Sequence, residues 1–508
     1  MNSKTSLSKN TALLYVRIIV VTLVTLFTSR FVLNSLGDID YGVFNVIFGI
    51  VAAFQIMAGA LIVTGNRFLI SDMVNNKDRL PETFSLLLFI HLFLAVFVGL
   101  IVEIFGLYMI NNQLSIPSDR LSAAYIIFQL SVFNFFTSIV QLPFQSVLIS
   151  NERFDVQAYC DIFYAVVLLV LALIISFFPG DVLINYAIGY VLIHFMLLAI
   201  YIIICRKGFE YVNFRIVIKL DRLKKLLTFA SWNFMGASTL AIYMQGTNMI
   251  LNMHFGPLVN TSRGIAFQVN TALNKLGGTI VTALGPRMTK SYDEGDIAKM
   301  NSLAIIGAKY NFAVMMIFCV PIFLSAEYIL QLWLGQVPRY ATEFVRLIVI
   351  YSLVSSLSST LLTVNLAVRK VKSYFIFIGA VQLTATAVSY IVLKHTTSLG
   401  PNVIFLIYII TALVLLFGGA LILKINSYFD FKKFIIDCIF PCVVSATILY
   451  IVMYLIFGNI DTTFLLLVAQ CLASIFIGLI ISCLLIMKPD ERVFVLALIK
   501  SKIGHEKN

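Results

Sequence analysis

Charged residues are scarce in this sequence. The chain has 508 residues, of which only 12% are Asp, Glu, Lys or Arg, whereas 60% are hydrophobic. A soluble protein of this length could not cover its surface with so few charges, so we exclude a soluble globular fold. Runs of about 20 apolar residues, the length that crosses a hydrocarbon core about 30 Å thick, recur along the chain. The sequence therefore predicts an all-α integral membrane protein.

Motifs for metal binding or catalysis are also lacking. The seven cysteines form no CxxC pair and lie in or beside apolar segments, which indicates small buried side chains rather than a metal site or a disulfide framework. There is no HExxH, P-loop, GxSxG or EF-hand pattern. The first apolar segment has no small-x-small cleavage site and is too long for a signal peptide. We expect no metal and no cofactor.

An acidic pair in the first predicted outer loop is the one feature that suggests an enzyme. Asp38 and Asp40 lie in "LGDIDYG", and membrane glycosyltransferases that use lipid-linked sugars often keep acidic residues in such a loop. Those enzymes usually also carry a large extracytoplasmic loop or domain, whereas the connections here are short throughout. We interpret the pair as a helix terminus and turn, and we expect no catalytic residues.

The apolar segments are separated by Gly, Pro, Asn or charged clusters and predict fourteen membrane-spanning helices. Their approximate limits, numbered here as spans 1 to 14, are 11–36, 41–65, 83–110, 121–149, 157–178, 182–205, 226–254, 258–286, 302–326, 341–367, 373–394, 401–424, 433–457 and 462–487.

The basic residues predict the orientation of these spans. With the N-terminus inside, 27 of the 36 Lys and Arg residues fall on the inner face, and only Arg120, Arg339 and Lys394 fall on the outer face. Such an excess is typical of cytoplasmic loops, so both termini are expected in the cytoplasm. The net charge of +12 follows from the same rule and from attraction to anionic lipids, so it gives no reason to expect nucleic acid binding.

The two halves of the chain resemble each other at an offset of about 219 residues. "VLNSLGDIDYGVF" has a counterpart in "ILNMHFGPLVNTSRGI", which pairs Asn34 with Asn252 and Gly37 with Gly256. Six spans separate the two copies, so they share one topology, and such parallel repeats are associated with transporters whose substrate site lies between two lobes. The predicted domains are lobe 1–205, linker 206–225, lobe 226–425, and a segment 426–508 with spans 13 and 14.

Polar residues inside the spans predict the substrate site. In span 8, Arg263, Asn270 and Asn274 share one helical face, and Lys275 is rotated from it by about 120°. In span 7, a second stripe is formed by Gln245, Asn248 and Asn252. Two alternatives stay open: Arg263 lies near enough to the outer end to snorkel, and the amides could hold helices together.

Only a few other charged residues lie within the predicted spans. Arg17 and Arg30 lie near opposite ends of span 1, Arg346 lies near the outer start of span 10, and Lys309 lies inside span 9. For Arg17, Arg30 and Arg346 an interfacial anchor is an equal alternative. Glu103 and Asp161 are the carboxylates, and we take both as candidates for ion coupling. Because cations outnumber carboxylates in the spans, a cavity lined by them favours an anionic substrate.

Four segments are informative as a set: "SRFVLNSLGDIDYGVFNVIFGIV", "NERFDVQAYCDI", "FGPLVNTSRGIAFQVNTALNKL" and "GPRMTKSY". Together they resemble the bacterial polysaccharide flippases of the multidrug/oligosaccharidyl-lipid/polysaccharide (MOP) superfamily. The resemblance spans the whole chain. It implies two six-helix lobes around a central cavity, with two additional C-terminal helices, in the inner membrane of a bacterium. It also implies arginines on spans 1 and 8 as cavity residues. Arg30 matches the span 1 position better than Arg17 does, and Arg263 matches the span 8 position. Lys275 and Lys309 have no counterpart in the family pattern.

The implied substrate is an oligosaccharide linked to undecaprenyl diphosphate, for O-antigen, capsule or other polysaccharide synthesis. Alternating access would carry it to the outer leaflet, with H⁺ or Na⁺ as the coupling ion. The expected partners are membrane lipids and other polysaccharide-assembly membrane proteins. A drug/cation antiporter of the same superfamily and a flippase for the lipid-linked peptidoglycan precursor stay open as alternatives.

Overall fold

The structure, a computed structural model, describes residues 3–213, 224, 234, 236–368, 371–396, 399–427, 429–458, 460–489 and 491–492. Side chains are described from residue 20 onward, apart from positions 58, 60, 61, 63, 279, 282, 283, 371 and 427. All regular secondary structure within these ranges is helical, so the all-α class is confirmed there. Most of the predicted linker, the start of span 7 and the C-terminal tail lie outside the described residues, as does the side chain of Arg17.

The helices are labelled in chain order, and their labels are not the numbers of the predicted spans. They are α1 (Ser3–Asn75), α2 (Leu80–Asn112), α3 (Leu121–Ser150), α4 (Phe154–Ile174), α5 (Val182–Gly208), α6 (Thr247–Phe255), α7 (Pro257–Asp293), α8 (Ile297–Leu324), α9 (Ala326–Leu334), α10 (Ala341–Val368), α11 (Val371–His395), α12 (Val403–Ser427), α13 (Phe431–Phe457) and α14 (Phe464–Ile486).

Eleven of the described helices are long and apolar enough to cross a membrane, so the chain is a multi-pass membrane protein. Lipid supplies no hydrogen bonds to the backbone, and a helix satisfies its own N–H and C=O groups, which explains why the apolar segments are helical. Spans 1 and 2 together form α1, which is broken at Gly37 with φ 74° and ψ 171°. The total of fourteen crossings and the internal repeat stay predictions.

The short helix α9 is absent from the predicted spans. It has only nine residues, which is too short to cross a bilayer, and it begins directly after Ser325 at the end of α8. Its sequence, "AEYILQLWL", begins where the predicted span 9 ends and falls in the predicted connection to span 10. The tryptophan of this helix, Trp333, has a role in the site described below.

The chain divides into two compact units by the contacts between its residues. Unit 1 comprises residues 1–264, 333–340 and 382–401. In it α1 packs against α2, α3 and α4, and α3 packs against α5. Its core includes the fully buried Val46, Ile47 and Phe128, and a second cluster surrounds Phe84 and Tyr201.

Unit 2 comprises residues 265–332, 341–381 and 402–508. In it α10 packs against α8 and α12, and α8 also packs against α13 and α14. Of the candidate spans, α8 is the most buried. Its core includes Met300, Met316 and Leu361, with Leu449 from α13. These units are defined by contacts and the predicted lobes by sequence repetition, so the lobe limits stay a prediction.

Candidate functional site

Three asparagines tie α6 to α7 within unit 1. Asn260 Nδ2 donates to the carbonyl oxygen of Asn248 at 2.8 Å and to its Oδ1 at 2.9 Å. Asn252 Nδ2 donates to Asn260 Oδ1 at 2.9 Å, and its Oδ1 accepts from the backbone N–H of Ser115 at 2.9 Å. All three asparagines are buried. The predicted site residues Asn248 and Asn252 therefore hold helices together in this structure, because buried amides need such partners.

Glycines let α1 approach this amide cluster closely. A Cβ at Gly49 would lie 2.8 Å from Asn248 Nδ2 and 3.0 Å from Gln245 Oε1. A Cβ at Gly264 would collide with the side chain of Asn45. The predicted Gln245, which is half-buried, and Asn248, which is buried, thus face α1 at a distance that leaves no room for a side chain at position 49.

Arg263 is buried in the same region. It is 4% exposed, and its Nη2 donates to the carbonyl oxygen of Met244. Met244 lies in a π-helical turn, Ile242–Gly246, and its carbonyl also accepts from Thr247 Oγ1 at 3.1 Å. A π-helical turn shifts the backbone hydrogen-bond register, and such turns occur frequently at functional sites. The arginine therefore lies within unit 1 instead of extending along the helix toward water.

A cavity of about 550 Å³ lies in unit 1 at the break in α1. Its polar lining comes from Asn34, Asp38 and Gln336. The break is made by Gly37, which also lines the cavity, and the remaining lining residues are Leu33, Ile39, Leu258, Leu334 and Gly335. The amides can donate to and accept from hydroxyl groups, and the carboxylate can accept from them. Sequence reasoning missed Gln336, whose only signal was a Trp-x-Gly-Gln stretch after an apolar segment.

Arg30 stands beside this cavity. Its Nη2 lies 4.0 Å from the position that a Cβ would take at Gly335, whose φ is +82°. The segment that carries Gly335 is anchored on α1, since Trp333 Nε1 donates to the carbonyl oxygen of Leu26 at 2.7 Å. The structure thus brings the predicted Arg30 next to a polar cavity that the sequence did not indicate.

The acidic pair of the first predicted outer loop has two different environments: Asp38 lines the cavity, whereas Asp40 is ion-paired. Arg120 donates to both Asp40 oxygens, at 2.7 and 2.6 Å, and to both Asp181 oxygens, at 2.6 and 3.0 Å. Asp181 also caps α5 by accepting from the backbone N–H of Leu183 at 2.9 Å. The guanidinium of Arg120 holds the pKa of Asp181 below its ordinary value, because it hydrogen-bonds the ionised carboxylate. Asp40 is thus a member of an ion-paired triad.

The predicted residues in the middle of α7 belong to unit 2. Asn270 is 7% exposed, and its Oδ1 accepts from Ser352 Oγ at 2.7 Å and from Asn274 Nδ2 at 2.8 Å. Asn274 is exposed and Lys275 is half-buried. The contact between Asn270 and Asn274 agrees with their spacing of four residues on one helical face.

Lys309 forms an ion pair inside unit 2. Its side chain is fully buried, and Nζ lies 3.0 Å from Glu491 Oε2 and donates to the carbonyl oxygen of Ile486 at 3.0 Å. Glu491 also accepts from Tyr310 Oη at 3.4 Å and from the backbone N–H of Lys488 at 2.9 Å. This contact gives Lys309 a partner in its own unit, so Lys309 is not among the residues proposed below to bind substrate. The sequence offered no signal for it, because 182 residues separate the two side chains.

The two coupling candidates lie in unit 1. Glu103 is half-buried and accepts from Gln129 Nε2 at 2.6 Å, which joins α2 to α3. Asp161 lies half-buried on α4. Within the described ranges, no group of three or more His, Cys, Asp or Glu residues is arranged to hold a metal ion.

No family model matches this sequence, and no curated protein matches it either. Solved structures do match. The lipid II flippase MurJ, in an inward closed conformation, superposes with a TM-score of 0.73 at 12% identity, covering 94% of this chain and 98% of MurJ.

Multidrug transporters of the MATE family match over a smaller part of the chain. One in an inward-facing conformation has a TM-score of 0.68 at 13% identity and covers 81% of this chain and 96% of its own. A MATE protein in a straight conformation has a TM-score of 0.56 at 14% identity, with 84% and 97% covered. The chain therefore has the fold shared by MurJ and the MATE transporters of the MOP superfamily.

Proposed function

We propose that this protein is a flippase that moves an undecaprenyl-diphosphate-linked oligosaccharide from the cytoplasmic to the outer leaflet of a bacterial inner membrane. One observation carries the proposal: the likeness to the lipid II flippase covers 94% of the chain with a TM-score of 0.73, whereas the likeness to the MATE transporters covers 81 to 84%. In this proposal the protein is a transporter without catalytic residues or a cofactor, and both termini are cytoplasmic.

The balance of charge supports a lipid diphosphate over a cationic drug. A drug/cation antiporter needs a carboxylate in the interior of its spans. Among the described residues, Glu103 and Asp161 are only half-buried, and Glu103 is engaged with Gln129. The buried Asp72 accepts from Thr83 beside the end of α1. By contrast, Arg30 and Arg263 lie in unit 1 and Lys275 lies in unit 2. The cations inside the spans therefore favour an anionic substrate.

The proposed division of labour follows from the chemistry of that substrate. A diphosphate carries about two negative charges, and its transfer into hydrocarbon without compensation is prohibitive. Arg30 and Arg263 would replace its hydration, since a guanidinium binds phosphate oxygens with two parallel hydrogen bonds. Asn34, Asp38 and Gln336 would hydrogen-bond sugar hydroxyls in the unit 1 cavity, while the prenyl tail stays in lipid.

Asn270, Asn274 and Lys275 would add polar surface along α7, and alternating access would complete transport. Either H⁺ or Na⁺, acting at Glu103 or Asp161, would drive release. Contact with other polysaccharide-assembly proteins would deliver and collect the glycan.

A flippase for the lipid-linked peptidoglycan precursor is the second candidate, because the MurJ structure is described as a lipid II flippase. Both candidates use the same diphosphate chemistry and differ in the glycan. Complementation separates them: the gene is expressed in a strain depleted of MurJ and in a strain lacking its polysaccharide flippase. Rescue of only the second strain supports the proposal, and rescue of only the first supports the peptidoglycan precursor.

The residue-level test uses the complemented strain and measures the lipid-linked glycan left in the inner leaflet. We expect Arg263→Gln to lower flipping at least tenfold, while Arg263→Lys, which keeps the charge, retains a measurable part. Arg153→Gln is the matched control, because Arg153 is half-exposed and pairs only locally with Asp155 at 3.0 Å. Equal flipping by Arg263→Gln and Arg153→Gln, at equal protein levels, would remove Arg263 from the substrate path.

A further inference from the structure

A second cavity, of about 320 Å³, lies in unit 2, away from the residues proposed for transport. It is formed where α8 ends, α10 begins and the connection between α13 and α14 turns. Its polar lining consists of Ser325, Arg346, Thr462 and Gln470. Its aromatic lining consists of Phe323, Tyr450, Tyr454 and Phe457, and Leu324, Gly458 and Ile460 complete it.

Arg346 is the only charged residue that lines this cavity within the described part of the chain. Its Nε donates to the carbonyl oxygen of Phe323 at 3.3 Å. That carbonyl belongs to the last turn of α8, where helix carbonyls have no partner within the helix, so the bond also caps α8. The guanidinium makes no ion pair with a described carboxylate. Its terminal nitrogens remain as a fork of donors, which suits a phosphate group.

The other polar groups complement this fork. Gln470 is 3% exposed, and its Oε1 accepts from Ser325 Oγ at 2.6 Å. That bond uses the carbonyl end of the amide and leaves its N–H₂ end as a donor. Thr462 adds a hydroxyl group from the connecting segment. The cavity thus offers several donors and one fixed positive charge, a combination that binds an anion of phosphate size.

The surroundings of the cavity are those of a lipid interface. Tyr450 and Tyr454 stack at 6.0 Å between ring centroids, and Tyr450 meets Phe323 edge-on at 5.8 Å. Tyrosines and arginines are typical of the boundary between lipid headgroups and hydrocarbon. Next to these lining residues in the sequence, large apolar side chains are exposed, with Leu455 at 76%, Phe464 at 57% and Leu465 at 79%. An anion bound here would therefore lie beside an apolar surface suited to acyl chains.

We propose that this cavity binds the phosphate headgroup of an anionic membrane phospholipid, with Arg346 as the principal ligand. The inference does not depend on the proposed transport function, because no residue of this cavity belongs to the proposed substrate site. The bound lipid would join α8, α10 and the α13–α14 pair through one headgroup and so stabilise unit 2 in the membrane.

The test is native mass spectrometry of the full-length protein in detergent with phosphatidylglycerol added. We expect the wild type to hold one phosphatidylglycerol molecule about tenfold more tightly than Arg346→Gln does, and to bind phosphatidylcholine more weakly. Arg339→Gln is the matched control, since Arg339 is also predicted on the outer side but is exposed and lies over the Tyr340 ring. Equal lipid retention by the two variants would overturn the proposal.

A second variant covers the case in which Arg346→Gln also loses the cap on α8 and fails to fold. Thr462→Val removes a hydroxyl group from the cavity without touching that cap, and we expect it to weaken binding about threefold. Unchanged binding in this variant would count against the cavity. Inorganic phosphate at millimolar concentration serves as the other arm: failure to displace the lipid supports a headgroup site, and full displacement would make the site one for a free anion.

Discussion

Gly37 and Gly256, which lie 219 positions apart, adopt the same backbone conformation in unit 1. Gly37 has φ 74° and ψ 171°, and Gly256 has φ 74° and ψ −175°. This region of backbone space is accessible almost only to glycine. Each residue ends one helical segment and starts the next, and these are the two positions that the predicted internal repeat pairs.

Alanine at either glycine should therefore destabilise the protein through the backbone alone. No atom lies within 4 Å of a Cβ added at Gly37 or Gly256, so the cost is conformational, about 1–3 kcal/mol each. Gly99→Ala is the control, because Gly99 lies within α2 with equally open space and alanine there should raise stability by about 0.5–1 kcal/mol. Thermal unfolding in detergent measures all three. A loss of stability in Gly99→Ala as large as in the others would refute the argument.

Removal of either partner from the Lys309–Glu491 pair should have unequal effects. Glu491→Gln leaves an ammonium group at 0% exposure without its counter-ion, and we expect a loss of about 3–5 kcal/mol. Lys309→Met removes the buried charge itself and leaves Glu491, which is 18% exposed, so the loss should be smaller. The double variant should resemble Lys309→Met. Unfolding free energies of the three variants test this order. A loss in the double variant equal to the sum of the two single losses would contradict it.

The stabilising effect of Asp181 should depend on pH. Its pKa is lowered in the folded protein by Arg120, so the stabilisation is present above the unfolded pKa, about 3.9, and is lost as the pH falls through the lower folded value. Asp181→Asn keeps a side chain that can cap α5 but loses the charge, and should cost about 1 kcal/mol at pH 7.

The measurement is the difference in unfolding free energy between wild type and Asp181→Asn from pH 7 to pH 3. The difference should shrink toward the acid end. A difference that stays constant over this range would mean that the carboxylate charge contributes nothing.

Asn252, from the polar stripe of span 7, and Asn274, from the polar stripe of span 8, should differ in their effect on stability. Asn252→Ala strands the amide oxygen of the buried Asn260, which should cost about 1–3 kcal/mol, and it also removes the acceptor of the N–H of Ser115, an exposed residue. Asn274→Ala removes an exposed side chain and should change stability by less than about 0.5 kcal/mol while lowering flipping. Thermal unfolding measures the stability of both variants, and the flipping assay measures their transport. Normal stability in Asn252→Ala would place that residue outside the buried network.

The membrane class and the position of most helices could be predicted from the sequence. Apolar length is a local property, and charged or glycine-containing breaks bound each segment, so the predicted limits of spans 3, 4 and 10 lie within a few residues of α2, α3 and α10. Gly37 was also visible as a break, because glycine interrupts an apolar run.

The partners of the polar side chains could not be predicted. Arg120 meets Asp40 and Asp181 from 80 and 61 residues away, and Trp333 meets the carbonyl of Leu26 from 307 residues away. Helical periodicity gives the angle of a side chain on its own helix and says nothing about which helix stands opposite. A segment surrounded by lipid on one side and apolar helices on the other has little periodic contrast, so even its buried face is weakly marked.

The sequence by itself therefore determined that this is a membrane protein, which apolar segments can span the membrane and which ionisable residues those segments contain, because these properties follow from local composition. Only the tertiary structure decided that Lys309 is neutralised by Glu491, that Asn248 and Asn252 both hydrogen-bond Asn260, and that Arg30 lies beside a polar cavity. A buried polar group is defined by its neighbours, and those neighbours are brought together by helix packing rather than by chain order.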